Sequence, residues 1–121
     1  MIWLSKYKNS NWLKWQKGRQ GTGYDKILLA QNDKIIPFDC YLLRFPEGVS
    51  IPPHKDKVQR GKHYRLNMIL KKSKSGGEFL AEKSIINLPR IKLFRPDLYT
   101  HEVTTVKGGS RWVLSVGWVI H

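Results

Sequence analysis

The feature that most narrows what this chain can become is the alternation in its last long run, from Arg111 to Ile120. Arg111, Val113, Ser115 and Gly117 fall on one face, and Trp112, Leu114, Val116 and Trp118 on the other. A period of two in β-branched and aromatic residues marks a strand with two different faces. Phe38 to Phe45 repeats it, setting Phe38, Cys40, Leu42 and Arg44 against Asp39, Tyr41, Leu43 and Phe45. In Arg65 to Lys71, Leu66, Met68 and Leu70 oppose Arg65, Asn67 and Ile69, and either face is fit to line a pocket. Glu78 to Ala81 and Ile91 to Phe94 are shorter strand candidates. Gly-rich turns at Lys71 to Gly77 and Lys107 to Ser110 punctuate the runs. Periodicity by itself therefore predicts an all-β core of two packed sheets.

Ahead of that core, residues 1–25 read as an N-terminal helical and loop extension. Trp12 and Trp15 stand three apart after the capping residues Asn9-Ser10-Asn11, the pattern of a short helix packed across a sheet. Interleaving of Trp3, Tyr7, Trp12 and Trp15 with lysines also fits bases stacked beside phosphate-binding cations. Gly18 to Asp25 is a loop without the Gly-Lys-Ser/Thr ending of a phosphate loop. Lys26 to Ile36 reads as two short strands or a hairpin, turning at Gln31-Asn32-Asp33. The expected organisation is one domain over 1–121, with its core at 38–120.

Net charge is +13, from 22 Lys plus Arg against 9 Asp plus Glu, which favours polyanionic partners such as nucleic acid. The lone Cys40 excludes an intramolecular disulfide and a Cys-rich zinc site. With 40% hydrophobic residues but neither a membrane-length apolar run nor a signal-peptide pattern, the expectation is a soluble cytoplasmic protein, monomer or homodimer.

The chemistry concentrates at His54-Lys55-Asp56. On extended backbone a His and an Asp two apart point the same way. With a second His from a distant strand they present two nitrogens and one oxygen to one face of a metal, which suits non-haem Fe(II) with positions left open. His101 is that second His, and Arg111 stands ten positions beyond it. His63 is set aside as the third ligand, because Arg65 follows it too closely to play the part of Arg111. An exposed polar pair, with Asp56 capping a turn, is the plainer reading of His54 and Asp56.

Taken together, this order resembles the Fe(II)/2-oxoglutarate dioxygenases. The lead-in Phe45-x-x-Gly48-x-x-Ile51-x-x-His54-x-Asp56 is similar to that of the prolyl 4-hydroxylase-like branch, which usually has Tyr where Phe45 stands. Gly76-Gly77-Glu78-Phe79 and Leu93-Phe94-Arg95-Pro96-Asp97 also fall where that branch has a Gly-Gly turn and the strand before the distal His. The resemblance covers about Phe38 to Trp118.

It implies a double-stranded β-helix, a small jelly-roll of the cupin kind, with Fe(II) held by His54, Asp56 and His101. It also implies 2-oxoglutarate and O₂ as co-reactants. Arg111 would hold the distal carboxylate through its planar fork of donors. Tyr41 would bring a phenol into the pocket in place of the one missing at Phe45, or stand as a wall residue. Asn67 is a candidate hydrogen-bond partner for the cosubstrate, and Arg60 and Lys62 would border the substrate entrance. Arg111 is expected to begin a strand joined to that of His101 through a short turn. The branch often has Ser or Thr where Val113 stands, which puts cosubstrate affinity in question. The activity implied is hydroxylation of a C–H bond in a prolyl or other protein side chain, while the net charge of +13 keeps a nucleic-acid base open as the substrate. Two alternatives stay open: a non-catalytic basic jelly-roll that binds nucleic acid, and a zinc-holding scaffold in which Arg111 has no task.

Overall fold

The computed structural model describes residues 13–18, 22–33, 36–58 and 60–121. Twelve strands follow in chain order: β1 (Trp15–Lys17), β2 (Asp25–Asn32), β3 (Phe38–Phe45), β4 (Ile51–His54), β5 (Lys62–Lys71) and β6 (Ser75–Gly76). They continue as β7 (Phe79–Ala81), β8 (Ile86–Asn87), β9 (Ile91–Phe94), β10 (His101–Val103), β11 (Val106–Lys107) and β12 (Arg111–Ile120). A seven-stranded sheet has the order β1-β2-β3-β12-β5-β9-β8, and a three-stranded sheet the order β4-β10-β7. β11 and β6 form a separate pair. Every strand pairing among the described residues is antiparallel. No helix among the described residues is long and apolar enough to cross a membrane.

β12 is central because both its edges are paired, to β3 and to β5. Its burial alternates as its sequence does: Arg111, Val113, Ser115 and Gly117 are buried, and the Trp112 to Trp118 face is half-buried. The core lies between the two large sheets. Phe45, Ile69 and Val113 of the seven-stranded sheet pack with Ile51 and Val103 of the smaller one, over Val106. β4 contains Pro52 and Pro53, which lack the N–H a central strand needs, and it accordingly lies at a sheet edge.

Three local expectations are corrected. Trp15 lies in β1, in register with Ile27, and not on a helix; Trp12 lies outside the described residues. The Trp15 ring meets Trp112 edge-on at 5.9 Å with the Arg44 guanidinium 4.2 Å above it, so long-range packing overrides the helical spacing. Gln31 and Asn32 do not turn the chain: β2 runs through them, paired with Asp39 and Phe38. And β12 does not form a hairpin with β10, because β11 intervenes, pairs with β6, and the chain crosses to the other sheet.

Candidate metal centre

β10 places His101 directly opposite His54 of β4, and the two rings lie 4.2 Å apart. Two residues beyond His54, the chain is held by the Asp56 amide donating to the Pro96 carbonyl at 2.8 Å. The carboxylate then reaches both rings: Oδ1 lies 3.5 Å from His54 Nε2, and Oδ2 lies 3.4 Å from His101 Nε2. One donor atom from each of the three side chains falls within 4.8 Å of the others, close enough to hold one ion.

The tautomers suit a metal. His54 Nδ1 donates to the Pro52 carbonyl at 2.8 Å and His101 Nδ1 to the Tyr99 carbonyl at 3.1 Å, since a carbonyl can only accept. In the neutral rings Nε2 therefore carries the lone pair, and the outer hydrogen bonds fix ring orientation. His101 is buried and tilted against Phe94, ring centroids 5.1 Å apart. Two imidazole nitrogens and one carboxylate are the donor set of a facial Fe(II) site, so the residues present fit that ion.

Arg111 comes to the same cavity from the opposite sheet. The cavity, about 330 Å³, is lined by His54, Asp56, His101 and Arg111, and also by Tyr41 and Asn67. Arg111 is 3% exposed, and its guanidinium lies 5.1 Å from the centre of the Phe45 ring. Burial alone pushes its pKa down to about 10, and no carboxylate pairs with it among the described residues. Such a charge is costly unless an anion joins it. Val113 is almost wholly buried beside it and offers no hydroxyl.

Sequence reasoning missed a polar wall in this cavity. Arg65 donates to Asp39 and to Ser115, both at 2.8 Å, and the Ser115 hydroxyl donates to Asn67 Oδ1 at 2.6 Å. Gly117 leaves room for that guanidinium, since a Cβ there would lie 2.1 Å from an Arg65 nitrogen. His63, rejected as a ligand, still lines the cavity, and its Nδ1 is buried with no hydrogen-bond partner among the described residues. The signal was available: Asp39, Arg65 and Ser115 share the period-two faces of Tyr41, Asn67 and Val113.

No family model and no curated protein matches this chain. Solved structures do. The chain is similar to a Pseudomonas putida prolyl-4-hydroxylase, with a TM-score of 0.68 and 12% identity over 99% of this chain and 83% of that one. A Trichoplax adhaerens prolyl hydroxylase, in complex with a hypoxia inducible factor oxygen degradation domain peptide fragment, gives 0.67 and 13% over 96% and 74%. The cupin domain of Schizosaccharomyces pombe Cnp3 gives 0.63 and 10% over 88% and 69%. The fold is a double-stranded β-helix. At these identities the likeness establishes the double-stranded β-helix alone, and oxygenases and cupins both use it.

Proposed function

We propose that the protein is an Fe(II)- and 2-oxoglutarate-dependent dioxygenase that hydroxylates a C–H bond of a macromolecular substrate, a protein side chain or a nucleic acid. The observation that carries this reading is one cavity in which a His-Asp-His donor set faces a buried arginine with no carboxylate partner among the described residues. A metal scaffold needs the first and has no use for the second.

His54, Asp56 and His101 would hold the iron, which when bound with a keto acid and O₂ supplies the oxidising chemistry for hydroxylation. The chain's own residues then do the positioning. Arg111 presents paired donors to the distal carboxylate of the keto acid, over a Phe45 ring that keeps water from its face. Tyr41 and Asn67 line the same cavity and are proposed as hydrogen-bond partners of the cosubstrate. Tyr41 stays protonated, its pKa raised by burial and by the Asp39 carboxylate. It therefore serves as a donor. Arg65, pinned by Asp39 and Ser115, gives the substrate a fixed polar wall.

The test is anaerobic titration of the apo-protein with Fe(II) and 2-oxoglutarate, read by the weak visible charge-transfer band of a keto acid chelated to ferrous iron. The expected result is a band that His101→Ala and Arg111→Ala abolish. Iron binding without the band would overturn the cosubstrate, and absence of iron binding would leave a non-catalytic basic jelly-roll.

A further inference from the structure

We infer that the flank between β7 and β8 is a docking surface for an acidic polypeptide segment that carries large aliphatic side chains. β7 ends the three-stranded sheet and β8 ends the seven-stranded one, so among the described residues each pairs on one side only. A strand edge of this kind offers unpaired backbone N–H and C=O groups to another extended chain. A second cavity, of about 460 Å³, touches both edges: Phe79 and Leu80 of β7, Asn87 of β8 and Lys92 of β9 all line it.

Its charge is one-sided. Lys72, Lys74 and Lys92 border it against the single carboxylate of Glu78. Arg111 borders it too, but through its stem, since a Cβ at Gly77 would lie 3.0 Å from Arg111 Cδ while the guanidinium lies over Phe45. The basic character of the flank thus belongs to the lysines and not to the metal centre. Lys92 is held in place by donating to Asn87 Oδ1 at 2.6 Å.

The rim selects the class of partner. Leu80, Ile85 and Leu88 are 46%, 57% and 53% exposed along and beside the two edges, and neighbouring Ile86 is exposed as well. Clustered exposed aliphatic side chains mark a surface meant to be covered. Nucleic acid is disfavoured, because base recognition uses aromatic stacking platforms. Among the described residues the one aromatic side chain lining this cavity, Phe79, is already packed on Phe94 at 4.5 Å between ring centroids. Lysines and aliphatic side chains beside two strand edges fit an extended acidic peptide.

The test is fluorescence anisotropy of the whole chain with a labelled short peptide of alternating Glu and Leu. Its comparators are a Glu and Ser peptide of equal charge and an oligothymidine of equal length. The expected result is preferential binding of the Glu-Leu peptide, weakened roughly tenfold by Lys72→Glu with Lys92→Glu and also by Leu80→Ser. The same charge change at Lys57 and Lys62, neither of which borders the cavity, should weaken binding much less. Three outcomes overturn the proposal: no binding, equal binding of either comparator, or equal loss in the Lys57 and Lys62 variant. His101→Ala is expected to bind the peptide as the parent does, which separates this surface from the metal centre.

Discussion

Two bases in the candidate metal cavity, Arg111 buried and His63 half-buried, carry opposite lessons. Arg111 keeps its charge at neutral pH even with a depressed pKa, so the fold bears a desolvated cation that only an incoming anion relieves. His63 gives its charge up. Burial, and after it the Arg65 guanidinium, holds the imidazole below its ordinary value, while in the unfolded chain it takes a proton near pH 6.5. The unfolded state therefore binds more protons just below about pH 6.5, and stability falls as pH drops through that window. Thermal unfolding between about pH 7 and 5 should decline more steeply for the parent than for His63→Leu. Parallel curves would mean that His63 is not held neutral. The side chains proposed to hold the metal and the keto acid were also the most legible: His54, Asp56, His101 and Arg111 are named by spacing and resemblance, and they line one cavity. For Asp39 and Ser115 the shared strand faces were legible, but not their partner, because Arg65 reaches them across strands.

Elements were legible where one face is buried and illegible where distant contacts decide. β3 and β12 have the bounds their alternation predicts, because a strand with one face in the core cannot slip by a residue without exposing it. β2 was expected to break at Gln31-Asn32-Asp33, because those polar residues have turn propensity, yet Gln31 and Asn32 continue pairing with β3. Arg111 was placed on the wrong sheet, since Gly108 and Gly109 imitate a hairpin while β11 and β6 redirect the chain. β9 supports the metal centre through Phe94, which is 2% exposed and packs on both His101 and Phe79. Phe94→Ala should cost about 3–5 kcal/mol in denaturant unfolding, the usual loss for a large buried ring. It should also weaken Fe(II) binding by releasing the His101 ring, and Phe94→Leu should restore most of both. Unchanged iron affinity in a folded Phe94→Ala protein would show that the two Nδ1 hydrogen bonds are sufficient to aim the ligands.

On the scale of the molecule, the candidate metal ligands and the arginine stand on different layers. His54 and His101 belong to the three-stranded sheet, with Asp56 just beyond it, and Arg111 belongs to the seven-stranded one. Among the described residues no backbone hydrogen bond joins β10 to β12; packed side chains in the core hold these layers together. A keto acid gripped by iron at one end and by Arg111 at the other would thus be a strut across the gap. Amide exchange should slow in β10 and β12 together when Fe(II) and 2-oxoglutarate are both added without oxygen, and near β4 and β10 alone with Fe(II) only. Slowing confined to one layer under both conditions would place the keto acid elsewhere. Under the proposed function the keto acid would then be part of the architecture: its length would set the spacing of the layers, and consuming it would release the brace at each turnover.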